Sequence, residues 1–310
     1  MQTLRVASRR SALAMTQTQW VVTQLESRYP GLRVDIVPVV TKGDRILDVS
    51  LSKVGGKGLF VSEIEACLLS GDADFAVHSL KDVPADLAEG LALTAIPERE
   101  DPRDALITKT GCSLDALPDG AVIGTSSLRR VAQLQAYRPD LRFVPIRGNI
   151  DTRLRKLEEE ELDAIVLAAA GLHRMGWTDK ITEYLPPHVC LPAVGQGILG
   201  IESRSADQRV NDILSSLHNG ATAAVAQAER TLLQALNGGC QVPIAGYAER
   251  DDSGQVWLRG LVASPDGRTV LRAEVRDQAP DRAGLEVAER LRAQGADQLL
   301  EATAAVSTAE

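Results

Sequence analysis

Two stretches of this chain repeat one pattern: a short apolar run, a turn, an amphipathic helix, then another run. In the first stretch, Leu4–Ala7 predicts a strand. Ala12–Ser27 predicts a helix closed by Tyr29-Pro30-Gly31, and the β-branched run Arg33–Val40 predicts a second strand. Leu59–Leu69 places Phe60, Ile64, Cys67 and Leu68 at helical core spacing, and Asp74–Val77 reads as a buried strand. The second stretch has strands at Ala121–Gly124, Arg142–Ile146 and Asp163–Ala168. Its helices start at Leu128, behind Thr125-Ser126-Ser127 as cap, and span Asp151–Glu161. Strand-helix alternation of this kind predicts parallel or mixed sheets covered by helices, with functional residues at the carboxyl ends of the strands.

The charged, proline-bearing segment Pro97–Arg103 separates the two α/β units, and Leu191–Gly197 crosses back to the first. An alanine-rich helix, Ala221–Leu236, ends at Asn237-Gly238-Gly239. Two or three alternating strands (Val242–Ala248, Gln255–Val262, Arg268–Arg276) and a last helix, from about Arg282 to Ala302, complete a small α+β domain. The predicted division is 1–97 with 198–216, then 98–197, then 217–310.

Composition removes several functions. A net charge of −8 lacks the basic footprint of a general nucleic-acid binder. No run approaches the roughly 20 apolar residues of a membrane span, and the N-terminus has no apolar signal core, so a cytoplasmic protein is expected. Cys67, Cys112, Cys190 and Cys240 are scattered and form no CxxC pair, which predicts free thiols. The four histidines form no ligand spacing, so no metal site is expected. Gly195-Gln196-Gly197-Ile198-Leu199-Gly200 fits GxGxxG by letter but precedes a strand, not a helix, and Gly55-Gly56-Lys57-Gly58 lacks the Ser or Thr of a phosphate loop. The region from Thr41 to Gly58 instead suggests a mobile loop carrying Lys57.

Three features carry chemistry. Cys240 follows a helix stop and precedes a strand, where a thiol can be reactive or merely packed. Asp82 follows a buried strand and precedes Val83-Pro84; it is functional, a turn residue, or the partner of a salt bridge with Lys81. Only seven of the 34 basic residues are lysines. Arginine forks match carboxylates two bonds at a time, although codon bias also yields such a count. Arg129 and Arg130 open one helix, Arg147 precedes another, and Arg153 and Arg155 lie within it. They suit either a bound anion or a solvated face.

These segments together identify a family. Ala7-Ser8-Arg9-Arg10-Ser11, Val54–Phe60, His78–Pro84, Glu98–Ala105, Gly124–Arg130, Leu191–Gly197 and Gly238–Ile244, in this order, resemble the hydroxymethylbilane synthases, also called porphobilinogen deaminases, over essentially the whole length. His78-Ser79-Leu80 carries Leu where relatives often carry Met. The resemblance implies an α/β fold of two domains like type II periplasmic binding proteins plus a small C-terminal α+β domain. It implies condensation of four porphobilinogens head to tail, with loss of ammonia at each step, to release hydroxymethylbilane for haem and related pigments. It implies a dipyrromethane primer joined by a thioether to Cys240, with Asp82 as the catalytic carboxylate that stabilises an azafulvene-like cation and moves protons. By position, Ser79, Lys81, Thr125, Ser127, Arg129, Arg130, Arg147 and Arg153 match residues that hold the cofactor or growing chain. Arg9, Ser11 and Arg174 match residues around the incoming substrate, a set that Arg147 and Arg153 share, with Lys57 in the mobile loop and Gln196 in the inter-domain segment. The family's usual monomeric state, and transfer of the product to uroporphyrinogen-III synthase, are implied in the same way. A non-catalytic, two-lobed anion-binding protein is the competing reading, since fold alone does not define function.

Overall fold

The computed structural model describes residues 2–45, 58, 61–237 and 242–309. The expected positions Lys57 and Cys240 lie outside these residues, as do Gly55, Gly56 and most of the segment expected as a mobile loop. Of that segment, Lys42–Arg45 is a short helix instead of loop. By its internal contacts the chain forms two compact units. One runs to Glu100 and regains Ile198–Ala223; the other holds Asp101–Gly197 and the chain from Ala224 onward.

The first unit is built on strands β1 (Gln2–Arg9), β2 (Leu32–Val39), β3 (Phe75–Ser79), β4 (Leu91–Ala95) and a late strand, Leu199–Arg204, in the order β2-β1-β3-late-β4. β1 pairs parallel with β2 and β3, and the late strand runs antiparallel beside β3. Helix α1 (Ala12–Arg28) presents Val21, Val22 and Leu25 to this sheet, where they meet Leu4, Val6, Phe75 and Ile201 in one core cluster. Burial of such side chains is worth about 1.5–3 kcal/mol each, which fixes the register of the sheet and therefore what stands at its edge.

The second unit repeats the plan. Strands β5 (Asp104–Thr108), β6 (Val122–Gly124), β7 (Arg142–Val144), β8 (Ala164–Ala168) and β9 (Glu183–Leu185) lie in the order β7-β6-β8-β5-β9. β6 is parallel to β7 and β8, while β5 is antiparallel to β8 and β9. In both sheets the antiparallel strand sits one place from the edge and is the one joined to a crossing segment. Shared order and shared strand sense make the two units variants of one α/β plan. With the late strand Leu199–Arg204 numbered β10, the remaining strands are β11 (Ile244–Arg250), β12 (Val256–Ala263) and β13 (Val270–Asp277), an antiparallel sheet of the α+β type.

This third sheet shares the second unit. Ala245, Tyr247, Leu261 and Ala263 form one buried cluster with Ala132 and Leu191. The carboxylate of Glu229, fully buried on the helix Gly220–Ala235, accepts from the N–H of Gly195 at 2.7 Å and of Ala248 at 2.8 Å. The expected last helix is two: Pro280–Ala293 and Ala296–Ala309, divided at Gly295, whose φ of +101° no L-residue holds comfortably. The apolar period continues through the break, which is why the sequence read as one helix. Additional elements that periodicity did not disclose are β4, β5, β9 and the helices Ala169–Arg174 and Gln208–Ser215. Most are too short to establish a period.

Candidate functional site

Parallel strands deliver their carboxyl ends to one edge of a sheet, and in the first unit that edge collects the expected residues. β1 ends at Arg9, with Ser11 following as the N-cap of α1, whose hydroxyl accepts from Ala14 N–H at 3.4 Å. β3 ends at Ser79, and a single 3-10 turn, Leu80–Asp82, places Lys81 and Asp82 beyond it. The Ser79 hydroxyl is held by the Gln17 side chain, 3.1 Å from its Nε2. Arg9 grips Asp44 through two nitrogens, with Nη2 2.5 Å and Nε 3.2 Å from Oδ1. Burial opposes the Asp44 charge, but hydrogen bonds from Arg9 and Thr41 outweigh it and hold the carboxyl below its ordinary range. Asp82 differs: it is partly buried, and among the described residues its carboxylate has no hydrogen-bond or ion-pair partner. Beneath this edge His78 Nε2 meets the fully buried Glu202 at 2.8 Å, which fixes the strand that carries the turn.

The second unit gathers its arginines in the same way. After β6, Thr125 Oγ1 accepts from Ser127 N–H at 3.3 Å, and Ser126 donates to the Ile146 carbonyl at 2.8 Å. The helix Leu128–Tyr137 has Ser127 at the N-cap position without a side-chain cap bond, contrary to the capping role expected of the Thr-Ser-Ser triplet. The Ser127 carbonyl serves the helix by accepting from Arg130 and Val131 N–H, and its hydroxyl has no partner among the described residues.

Arg129 and Arg130 are 5% and 6% exposed, which rules out the solvated face. Both guanidiniums bind the fully buried Asp104, Arg129 Nη1 at 2.8 Å and Arg130 Nη2 at 2.7 Å. Gln196, also buried, donates to the same carboxylate at 2.9 Å and to the Pro102 carbonyl at 2.7 Å. Burial works against the Asp104 charge, but the two guanidiniums overcome it and keep the carboxyl far below the usual range.

After β7, Arg147 lies in the turn that Gly148 makes possible: at φ +112°, a Cβ there would stand 2.5 Å from Thr152 Cγ2. Arg147 Nη1 is buried and has no hydrogen-bond partner among the described residues. Arg153 Nε donates to the Gly148 carbonyl at 2.9 Å, and Arg174 Nη2, after β8, donates to the Gly197 carbonyl at 2.7 Å.

Cys190 completes the Asp104 cluster, its Sγ donating to Asp104 at 3.2 Å. Burial, then the Asp104 charge, pushes this thiol up to about 12, so it keeps its proton and is a poor nucleophile. Alkylation at pH 8 is expected to leave Cys190 unmodified in the folded protein and to label it after denaturation, as peptide mass spectrometry would read. Because the folded state holds this proton more tightly than the unfolded chain, its contribution to stability is complete below the ordinary thiol range and declines as pH rises toward about 12.

Sequence reasoning missed Asp104 and Asp44. The signal for Asp104 was available in Asp101-Pro102-Arg103-Asp104-Ala105, an acid opening an apolar strand, which is costly unless cations meet it. Among the described residues no group of His, Cys, Asp and Glu is arranged to hold a metal, and no helix is long and apolar enough to cross a membrane.

The porphobilinogen deaminase dipyrromethane cofactor-binding domain matches residues 4–212, and the porphobilinogen deaminase C-terminal domain matches residues 223–293. Porphobilinogen deaminase of Shouchella clausii is 55% identical over 302 residues, covering 97% of both chains. That of Bacillus subtilis is 54% identical over 302 residues, covering 97% of this chain and 96% of its own. Among solved structures, the methionine-binding protein MetQ aligns with 73% of this chain and 94% of its own at 14% identity and a TM-score of 0.45. Two family domains that together span most of the sequence, and relatives matched from end to end, show that the chain belongs to the porphobilinogen deaminase family.

Proposed function

We propose that this chain condenses four porphobilinogens head to tail on a dipyrromethane bound through Cys240, releases ammonia at each joining, and gives up hydroxymethylbilane. The observation that carries this reading is that, among the described residues, neither the part-exposed carboxylate of Asp82 nor the buried Nη1 of Arg147, each beyond the carboxyl end of a strand, has a partner. Unmet polar groups are costly in a folded protein and are kept where a ligand meets them.

The residues present fit dipyrromethane, whose pyrroles carry acetate and propionate groups. Among the described residues Arg147 Nη1 is buried without an acceptor, and the Ser127 hydroxyl has no partner. Arg129, Arg153, Lys81, Ser79 and Thr125 would hold the cofactor or the lengthening chain with them, and Arg130 would back them through Asp104. When bound, the group supplies the free pyrrole α-carbon from which growth starts.

Arg9, Ser11 and Arg174 orient the incoming porphobilinogen, with Lys57 and Gln196 as further contacts; Gln196 acts through Asp104. Asp82 holds its charge close to the pyrrole N–H groups, stabilises the cation formed as ammonia departs, and accepts or returns protons. The binding of a polyanion explains why guanidiniums dominate these edges. The division into domains 1–97 with 198–216, 98–197 and 217–310, a cytoplasmic monomer, and transfer of the product to uroporphyrinogen-III synthase belong to the same proposal.

Incubation with porphobilinogen tests it. Ammonia release and formation of hydroxymethylbilane, which closes spontaneously to a uroporphyrinogen, are the expected result. Binding of porphobilinogen with no ammonia released would instead identify a non-catalytic anion binder.

A further inference from the structure

We infer that Asp104 is a positioning residue for the reaction, aiming Arg129 at a cofactor carboxylate and using Arg130 as an internal charge. The inference rests on the proposed function and divides the labour of two arginines that the sequence presents as equivalent.

Asp104 stands first in β5, paired to Ala168 of β8 on one side and Leu185 of β9 on the other, so its backbone is fixed between two strands. Its Oδ1 accepts from Arg130 Nε at 3.0 Å and Nη2 at 2.7 Å, while Arg130 Nη1 donates to the Val166 carbonyl at 2.8 Å. All three Arg130 nitrogens are thereby used inside the protein. Arg129 is held differently. Among the described residues its contacts all run through Nη1, to Asp104 Oδ2 at 2.8 Å, the Leu191 carbonyl at 2.6 Å and Cys190 Sγ at 3.5 Å. Arg129 Nε and Nη2 have no acceptor among the described residues.

The charges point the same way. Two guanidiniums share one carboxylate, and the neighbouring Cys190 thiol is neutral, so one positive charge remains uncompensated in a buried place. Such a charge is expensive unless an anion meets it. The free nitrogens of Arg129 provide the side from which a carboxylate can do so. Asp104 and Gln196 also tie the segment entering the second unit to the segment leaving it, through Gln196 and the Pro102 carbonyl. The guanidinium is therefore held from several directions before any ligand arrives, which is what preorganised binding requires.

The test compares protein produced without cofactor, the parent beside Asp104→Asn and Asp104→Glu, each mixed with porphobilinogen. Intact mass follows acquisition of the two-pyrrole increment, and circular dichroism with thermal unfolding reports the folded fraction. Asp104→Asn, folded, is expected to load at least about tenfold more slowly, and Asp104→Glu to fall between it and the parent, since its charge is kept but displaced by one methylene. A purely structural role would lower the unfolding midpoint while folded molecules loaded at the parent rate, and that result overturns the inference alone. Should the Asn variant not fold, the Glu variant decides on the same criterion. A folded parent that gains no pyrrole mass overturns the proposed function and this inference with it.

Discussion

Asp82→Asn is expected to reduce turnover of porphobilinogen by a factor of roughly 10²–10⁴ while leaving the protein folded. The substitution keeps the shape of the side chain and removes its charge and its proton-accepting oxygen. Its structural cost is small because the carboxylate makes no bond among the described residues, so nothing within them is broken. Position in the turn is set by other groups: Leu80 and Val83 are buried on either side, and the Val83 N–H closes the turn onto the Leu80 carbonyl. The unfolding midpoint should therefore remain within about 2 °C of the parent. The measurement is single-turnover product formation beside a thermal melt. Unchanged turnover would remove Asp82 from the chemistry. A large fall in the midpoint would instead mark it as a structural residue; the contrast is with Asp104, whose carboxylate is fully engaged by two arginines and a glutamine.

Much of this could be read from the sequence, for physical reasons that differ by residue. The strands from Leu4, Arg33 and Asp74 and the helix from Ala12 were legible because one period of apolar residues runs through each and a turn signal closes it. Asp82 was legible because it follows a strand, and strands leave functional residues at their carboxyl ends. The arginines were legible as a group but not in their roles. Arg129 and Arg130 adjoin in sequence, yet Arg130 spends every nitrogen inside the fold and Arg129 does not. That distinction depends on Asp104, 25 residues from Arg129 along the chain, and periodicity carries no information about such pairings. Gln196 illustrates the same limit: the sequence placed it only in the inter-domain segment, and nothing there discloses that its amide is buried against Pro102 and Asp104. The break at Gly295 was visible only as a single glycine within a continuing apolar pattern, where glycine is as often tolerated as decisive.

Cys240→Ser is expected to abolish the covalent mass carried by the purified protein. The parent should exceed its sequence mass by two porphobilinogens less two ammonias, since each joining forms one bond to carbon and releases one ammonia. The choice of cysteine follows from chemistry as well as resemblance. Cys190 keeps its proton beside a buried carboxylate, and burial together with Asp72 raises the Cys67 thiol. Neither is disposed to form a thioether, and Cys67→Ser and Cys190→Ser should retain the increment. Serine at 240 preserves the size of the side chain but is a far weaker nucleophile at neutral pH, so stable attachment should fall below detection and turnover with it. Intact-mass spectrometry of the four proteins, each prepared with and without added porphobilinogen, is the measurement. An increment that survives Cys240→Ser but disappears in another cysteine variant would move the attachment point. An increment that survives in all of the variants would move the attachment to Cys112 or to a group other than a thiol.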